Sequence, residues 1–167
     1  MPFADAVRTC FRKYVDFSGR ASRPEYWWFA LFLAGVSIAL VLVEGTLFGF
    51  DAEPTDFSKS PLSSLFALAT ILPSLSAAVR RMHDMGRSGW FILLPLVPLV
   101  AAGVTGVALL VHAASSDGPT TLGATLLWLT VLLGIVMVGT TILSIWWLTR
   151  PSEPAANRWG PPPVLHA

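Results

Sequence analysis

The segment WWFALFLAGVSIALVLVEGTLF at residues 27–48 decides the fold of this chain. It runs for 22 residues with a single ionisable side chain, Glu44, close to its end. A helix needs about 20 apolar residues to cross roughly 30 Å of hydrocarbon, so this segment predicts a membrane-spanning helix. Three further apolar segments follow, at residues 62–79, 90–113 and 122–149. The sequence therefore predicts an all-α integral membrane protein with four transmembrane helices.

The composition agrees with a membrane protein and excludes several other classes. Hydrophobic residues make up 54% of the 167 residues and charged residues 13%, whereas soluble domains carry about 25% charged residues. The apolar content excludes a disordered chain, and the lack of a strict repeat excludes a coiled coil or a collagen-like chain. A formal net charge of +1 argues against a general nucleic-acid partner. The single cysteine, Cys10, rules out an intramolecular disulfide.

The distribution of basic residues predicts which side of the membrane each loop faces. With four spans, the two terminal segments and the loop between the second and third spans hold ten Lys and Arg, against one on the other side. Cytoplasmic loops are enriched in Lys and Arg, so both termini are predicted to be cytoplasmic. The second segment has only 18 residues and contains Pro73; if it did not cross, the division would be five against six. The outward loops, at residues 49–61 and 114–121, are short and acidic or neutral.

The chain is expected to form one domain with three parts. Residues 1–26 are polar and basic, which predicts a retained N-terminal segment rather than a cleaved signal peptide. Within it, an amphipathic helix along the membrane surface is predicted from apolar residues near helical spacing, namely Phe3, Val7, Cys10, Phe11 and Tyr14. Residues 27–149 form the predicted four-helix transmembrane bundle, and residues 150–167 a proline-rich cytoplasmic tail. Kinks are expected in the second and third helices at Pro73, Pro95 and Pro98.

The first motif, FSGRASRPEYW at residues 17–27, marks where the N-terminal segment meets the first span. Ser22 followed three residues later by Glu25 has the spacing of a helix capping box, with a proline between them in the first turn. The glycine of this motif allows a sharp turn between the amphipathic helix and the span. Arg20 and Arg23 are then expected to lie at the depth of the lipid phosphates.

The second motif, RRMHDMGRSGW at residues 80–90, forms the predicted cytoplasmic loop between the second and third spans. If the helix continues past residue 79, Asp84 lies four residues after Arg80 and three before Arg87. Its carboxylate is then expected to pair with both guanidinium groups. Gly86 is a candidate left-handed cap for the end of the helix.

His83 and Arg81 complete the ionisable set of this loop. A histidine titrates near neutral pH and can act as an acid, a base or a ligand. One His-Asp step without a second His, Cys or carboxylate cluster gives little support to a metal or catalytic site. Three interpretations stay open for the loop: a structural ion-pair network, a site for an anion or a lipid phosphate, and catalysis.

The third motif, NRWGPPP at residues 157–163, lies in the tail. Its three prolines favour an extended polyproline conformation, while Asn157, Arg158 and Trp159 offer polar and stacking contacts. The tail is expected either to remain solvated, to dock on the other two motifs or to bind a partner.

Taken in this order around four apolar segments, the three motifs resemble those of bacterial inner-membrane proteins of the domain-of-unknown-function family 805. The resemblance covers essentially the whole chain, although Met82, Phe91 and Trp159 stand where the family often has Leu, Trp and Tyr. It implies a location in the bacterial inner membrane, whereas the family has no established activity. It also implies a shared site among the motif positions Gly19, Arg20, Arg23, Glu25, Trp27, Arg81, His83, Asp84, Gly86, Arg87, Gly89 and Trp90.

The leading functional hypothesis is a non-enzymatic membrane module whose cytoplasmic basic face binds anionic lipid headgroups or a protein partner. The candidate binding residues are Arg20, Arg23, Glu25, Arg80, Arg81, His83, Asp84, Arg87 and Arg158. No catalytic residue, metal, cofactor or nucleic-acid partner is predicted. One alternative is a small transporter or channel that uses Glu44 and His112, near the outward ends of their spans. The other is an enzyme acting on a lipid phosphate, with His83 as acid or base and Arg87 as phosphate clamp.

Overall fold

The computed structural model describes residues 1–49, 60–115, 118 and 120–163. In this part of the chain the fold is all-helical and contains no β-strand. A short 3-10 helix, Gly89–Leu93, follows the third of five α-helices. These helices are α1 (Phe3–Arg12), α2 (Arg23–Phe48), α3 (Pro61–Asp84), α4 (Leu96–Ser115) and α5 (Thr121–Thr149). The acidic residues expected in the outward loops lie outside the described residues; they are Asp51, Glu53, Asp56 and Asp117.

Four stretches are long and apolar enough to cross a membrane, namely Arg23–Phe48, Pro61–Asp84, Gly89–Ser115 and Thr121–Thr149. The four predicted spans are thereby confirmed in number and position, including the marginal second one. α3 has 24 residues because the helix continues through Asp84 instead of ending at residue 79. The first five residues of the segment at 80–90 are therefore helical, which is the case in which Arg80 and Asp84 lie on one helix.

A Schellman motif explains why α3 continues this far. Gly86 follows the helix with φ +70°, a left-handed conformation that glycine adopts without strain. The Gly86 N–H bonds to the His83 carbonyl at 3.1 Å, and the Arg87 N–H bonds to the Met82 carbonyl at 3.0 Å. These two bonds satisfy carbonyls that the helix end leaves unpaired. The predicted cap at Gly86 is confirmed, and it lies about two turns beyond the end of the apolar segment.

The start of α2 also follows its local sequence. The Glu25 N–H donates a hydrogen bond to the Ser22 hydroxyl at 3.3 Å, and Pro24 lies in the first turn. Gly19 has φ +77° and provides the predicted turn ahead of the helix. Only one half of the capping box forms in this way, because the Glu25 side chain bonds to Arg80 instead.

The described chain divides into two compact units. The first unit comprises Met1–Arg87 together with Pro151–Ala167, so the tail belongs with α1, α2 and α3. The second unit comprises Ser88–Arg150 and contains α4 and α5. The arrangement of all four spans in one bundle stays a prediction.

In the first unit, α1 packs its apolar face against α2. The Phe3 ring meets the Trp28 ring edge-on with centroids 5.8 Å apart, and Phe11 meets Phe29 in the same way at 5.4 Å. Cys10 is fully buried in the core of this unit. The predicted amphipathic helix is confirmed as a helix, while its position along a membrane surface stays a prediction.

The hydroxyl groups of two side chains connect the segment after α1 to α3. The Tyr14 hydroxyl donates to the Ala69 carbonyl, which lies four residues before Pro73. The buried Ser76 hydroxyl contacts the carbonyls of Lys13 and Asp16 at 2.8 and 2.9 Å. Both contacts join segments about 60 residues apart in the sequence.

The second unit consists of α4, α5 and the 3-10 helix. The Thr130 hydroxyl donates to the Thr105 hydroxyl at 3.0 Å and joins the two long helices. Of the three prolines expected to kink helices, only Pro73 lies inside one. Pro95 separates the 3-10 helix from α4, and Pro98 lies in the first turn of α4, where a proline removes no helical hydrogen bond.

Candidate functional site

Five ionisable side chains form a buried cluster at one end of the first unit. We call it the arginine cluster; its members are Arg20, Glu25, Arg80, Arg81 and Asp84. The first motif contributes the loop before α2 and the first turn of that helix. The second motif contributes the last turns of α3, because the Schellman motif extends the helix that far. The structure therefore brings together two of the three predicted motifs through charged groups.

The ion pairs of the cluster differ from the predicted ones. Asp84 accepts from Arg20, with Nε and Oδ1 2.9 Å apart, and its other carboxylate oxygen accepts from Arg81. Arg80 places Nη1 2.5 Å from Oε1 of Glu25. The predicted pairing of Asp84 with Arg80 is wrong: Arg80 pairs instead with Glu25 in the first turn of α2, and Arg81, three residues before Asp84, takes the second carboxylate oxygen.

Burial makes these charges energetically demanding. Every side chain of the cluster is at most 8% exposed. Buried charges cost folding free energy unless they are paired and hydrogen-bonded. The cluster holds three guanidinium groups and two carboxylates, so it carries one surplus positive charge. In addition, Nε of Arg80 is buried without a hydrogen-bond partner.

The tail, which we define as residues 151–163, docks on this cluster. Arg20 donates from Nη2 to the Glu153 carbonyl at 2.5 Å, and from Nη1 to the carbonyls of Ala155 at 2.8 Å and Gly160 at 3.4 Å. The Glu153 N–H donates to the Asp84 carbonyl at 3.0 Å. Of the alternatives left open for the tail, docking on the other two motifs is the one observed.

The NRWG segment forms a tight turn that contacts the end of α3. Backbone hydrogen bonds of 3.1 and 2.9 Å join Asn157 and Gly160 in both directions. The side-chain amide of Asn157 donates to the His83 carbonyl at 3.0 Å. That carbonyl lies in the last turn of α3 and already accepts the Gly86 N–H, so the tail adds a second donor to the helix end and also binds Arg20.

Three planar groups stack above the same helix end. The Trp159 ring lies on the His83 ring with centroids 4.5 Å apart and planes 11° apart. The Arg158 guanidinium covers Trp159 at 3.9 Å from the ring centroid. Nδ1 of His83 lies 3.3 Å from the Gly19 carbonyl. His83 therefore contacts all three motifs, and its ring face is covered by the tail.

The nine predicted binding residues thus fall into three groups. Five are buried in the arginine cluster, and His83 lies beneath Trp159. Arg87 is half-buried, whereas Arg23 and Arg158 are exposed. Binding of a ligand by any of the nine stays a prediction.

The two residues of the transporter alternative both lie at helix ends. The Glu44 carboxylate accepts from the N–H groups of Leu62 and Ser63 at 2.5 and 3.1 Å, and also from the Ser63 hydroxyl. It therefore binds the N-terminus of α3, where an anion is electrostatically favourable. In the second unit, Nε2 of His112 contacts the hydroxyl of Thr120, the residue that caps α5.

Cys10 lies beside the cluster, with its sulfur 4.0 Å from Nη2 of Arg80. Burial, assisted by the negative charge of Glu25, raises the pKa of the Cys10 thiol to about 11. The thiol is therefore protonated at neutral pH and is not a nucleophile. No group of three His, Cys, Asp or Glu side chains suited to a metal ion occurs within the described ranges.

The sequence did not predict that the hydroxyl groups of Tyr14 and Ser76 join the segment after α1 to α3. Nor did it predict that carbonyl groups of the tail accept hydrogen bonds from Arg20. Pro73 was the one available signal, because a proline inside a helix leaves the carbonyl four residues earlier without its donor. That signal identifies Ala69 as the acceptor but not Tyr14 as the donor. Backbone carbonyls carry no residue-type signal at all.

The fold and cluster define a multi-pass helical membrane protein with a buried arginine network at one end of its first unit. The chain belongs to the family described as "Protein of unknown function (DUF805)", which matches residues 14–161. It is 44% identical over 89 residues to "Inner membrane protein YhaI" of Escherichia coli (strain K12), covering 53% of this chain and 69% of that protein. It is 35% identical over 89 residues to "Inner membrane protein YhaH" of the same strain, covering 53% and 70%. No solved structure matches the chain.

Proposed function

We propose that this chain is a non-enzymatic protein of the bacterial inner membrane that binds anionic lipid headgroups through the exposed arginines of its first unit. Both termini then face the cytoplasm. The location is supported by the names of two relatives, YhaI and YhaH, and by the four apolar spans. The alternative is that the same exposed arginines bind a protein partner instead of a lipid.

The observation that carries this proposal is that Arg23 and Trp27, four residues apart in α2, are both exposed. Arg23 is the first residue of the helix and is exposed, and Trp27, four residues later, is 40% exposed. Residues four apart lie on the same side of a helix. Indole rings favour the headgroup layer of a bilayer, so the guanidinium group reaches the depth of the lipid phosphates.

The charge of this region favours an anionic ligand. Residues 1–26, 80–87 and 151–163 together contain nine basic and five acidic side chains. The buried cluster uses both of its carboxylates internally, so the exposed arginines add to its surplus positive charge. Each basic residue near an anionic membrane surface contributes about 1 kcal/mol to attraction. Lipids fit this arrangement better than a protein, because the exposed Arg23 precedes an exposed tryptophan by one helical turn at the start of a predicted span.

Native mass spectrometry of the protein in mild detergent tests the proposal. We expect retained phosphatidylglycerol or cardiolipin in the wild type and reduced retention in Arg23→Gln. Arg8→Gln is the charge-matched control, because Arg8 is also exposed and lies on α1 instead of the first turn of α2. Equal retention by the wild type and Arg23→Gln would refute the proposal. Loss of a defined copurifying protein in place of lipid would favour the partner class.

A further inference from the structure

We propose that the tail is a detachable cap over Arg20, and that its release opens a second site for a phosphate group at Arg20 and His83. This inference rests on the proposed function, because it names a further site for the same headgroup chemistry. It concerns buried residues of the first unit, whereas the proposed function concerns the exposed Arg23. The two sites are therefore separable by experiment.

Arg20 pairs with the Asp84 carboxylate through Nε, but the ligands that the tail supplies to it are weaker than the ones its chemistry prefers. Its Nη1 and Nη2 groups donate to the carbonyls of Glu153, Ala155 and Gly160, which are neutral acceptors. Hydrogen bonds from a guanidinium group to phosphate are charge-assisted and roughly twice as strong as neutral ones. The planar guanidinium also matches two phosphate oxygens at once. A phosphate group in place of these carbonyls therefore makes better use of the same donors.

The charge balance beneath the tail favours an incoming anion. The Asp84 carboxylate pairs with both Arg20 and Arg81, and the Glu25 carboxylate pairs with Arg80. Three guanidinium groups thus face two carboxylates in a buried region, where unbalanced charge is costly. The carbonyls of the tail supply hydrogen bonds to Arg20 but no negative charge. A phosphate at this position supplies both.

The tail is attached in a way that permits release. None of the residues 151–163 is buried, whereas the residues beneath them, including His83 and Asp84, are buried. The attachment consists of hydrogen bonds and of the stack between Trp159 and His83. Segments with few buried apolar contacts open locally at low free energy. Release uncovers the His83 ring and the Nη1 donors of Arg20, while Nη2 loses the Glu153 carbonyl and keeps the Asp84 carbonyl at 3.2 Å.

Docking also has a stabilising role that keeps the cap closed when no anion is present. The tail donates to the carbonyls of His83 and Asp84 through the Asn157 side chain and the Glu153 N–H, each at 3.0 Å. The His83 carbonyl also accepts the Gly86 N–H, and the Asp84 carbonyl also accepts from Nη2 of Arg20, so the tail adds a second donor to each. The tail and a phosphate thus compete for Arg20, while only the tail adds these donors to the end of α3.

A spin label on the tail measures release directly. Ala156 is exposed, and the single native cysteine, Cys10, is buried, so Ala156→Cys provides a selective attachment site. We compare nanodiscs of phosphatidylcholine alone with nanodiscs that also contain phosphatidate. The inference expects phosphatidate to increase the mobile fraction of the label. An unchanged spectrum while native mass spectrometry shows bound phosphatidate would overturn it.

Loosening the tail provides the complementary test. Trp159→Ala removes the stack on His83 and is expected to raise phosphatidate retention about fivefold, the low end of typical coupling between sites. Trp128→Ala, which removes an exposed tryptophan from α5 of the second unit and lies outside the three motifs, is the matched control and is expected to have no effect. Adding Arg20→Lys to Trp159→Ala keeps the charge, removes the planar donor pair and is expected to abolish the increase. If Trp159→Ala fails to fold, Asn157→Ala loosens the same turn through a different contact.

The outcomes separate this inference from the proposed function. Retention that is the same in the wild type and in the loosened variant overturns the cap while leaving headgroup binding intact. If no form retains lipid, the proposed function fails, and inorganic phosphate then becomes the probe. If millimolar inorganic phosphate increases the mobile fraction of the spin label, the site binds free phosphate instead of a headgroup. No release by phosphatidate or by inorganic phosphate overturns the inference.

Discussion

The Tyr14 hydroxyl donates a hydrogen bond to the carbonyl of Ala69, the carbonyl that Pro73 leaves without a helical donor. A proline inside a helix has no N–H for the residue four positions earlier. In a membrane span an unsatisfied carbonyl is expensive, because hydrocarbon offers no water to replace the donor. Tyr14 therefore supplies the missing donor to the Ala69 carbonyl from outside the helix, and the same bond attaches the end of the N-terminal segment to α3.

Tyr14→Phe is expected to lower the free energy of unfolding by about 1 kcal/mol, the usual net worth of one hydrogen bond. The loss should shrink in the Pro73→Ala background, because the restored N–H at position 73 then satisfies Ala69. A double-mutant cycle of denaturant unfolding in detergent measures this coupling. Equal losses in both backgrounds would show that the hydroxyl and the proline act independently.

Asp84→Asn is expected to cost about 3–5 kcal/mol of stability, because it leaves Arg20 and Arg81 buried without their carboxylate. Asp5→Asn is the control, since Asp5 forms an exposed pair with Arg8 at 3.9 Å. Exposed pairs contribute about 0–1 kcal/mol. Thermal unfolding in detergent compares the two, and a small effect of Asp84→Asn would mean that the cluster is hydrated and not a structural network.

These two cases show where sequence reasoning succeeds and where it stops. The caps at Ser22 and Gly86 are local, since each uses residues within five positions of itself, and both were predicted. Arg80 and Glu25 are 55 positions apart, and Arg20 and Asp84 are 64 apart. Helical spacing ranks only neighbours on the same helix, so it selected Arg80 as the partner of Asp84. Which arginine pairs with Asp84 depends on how α2 packs against α3. Hydrophobic periodicity does not specify that packing when a helix such as α2 is apolar on every side.

Cys10 is expected to resist alkylation in the folded protein. Its pKa is raised from 9.0 to about 11, chiefly by burial, so at pH 8 only about one thiol in a thousand is ionised. N-ethylmaleimide should therefore label the protein only after unfolding in denaturant, as read by mass spectrometry. Ala156→Cys provides an exposed thiol as the positive control. Rapid labelling of Cys10 in the native protein would show that α1 does not stay packed on α2.

The same pKa predicts a loss of stability at alkaline pH. The folded state holds the Cys10 proton more tightly than the unfolded state, so the folded form is favoured below pH 9. This contribution is lost as the pH rises from 9 towards about 11. Cys10→Ala should flatten the stability profile in that interval. A profile identical to that of the wild type would assign the alkaline loss to other groups.

The proposed orientation predicts that reporters at both termini act from the cytoplasm. Green fluorescent protein fused to either end should fluoresce, and alkaline phosphatase fused there should be inactive, because the two reporters require opposite sides of the inner membrane. Replacing Arg80 and Arg81 would disturb the buried cluster, so Arg8→Gln with Arg12→Gln is the better test of the charge rule. The loss of two basic residues leaves a majority on the same side, and the orientation should persist. Active phosphatase at either end of the wild type would overturn the proposed topology.

Glu44→Gln is expected to reduce thermal stability without changing ion permeability. The Glu44 carboxylate accepts hydrogen bonds from the first two N–H groups of α3. A glutamine at this position offers a single neutral amide oxygen as the acceptor. The effect should be smaller than that of Asp84→Asn, because the amide still accepts a hydrogen bond and leaves no buried cation unpaired. Ser63→Ala removes the hydroxyl donor to the same carboxylate and should produce a partial loss.

Proteoliposomes loaded with a pH-sensitive dye then separate this capping role from the transport alternative. If Glu44 serves only to fix the α2 to α3 connection, wild-type and Glu44→Gln vesicles should leak protons at the rate of protein-free vesicles. A transporter would instead show wild-type flux that depends on pH and vanishes in Glu44→Ala while the variant remains folded. Because the carboxylate already accepts hydrogen bonds from Leu62 and Ser63, a carrier role would require these bonds to break during each cycle. Ser63→Ala would then accelerate flux while it lowers stability, whereas a capping role predicts the loss of stability alone.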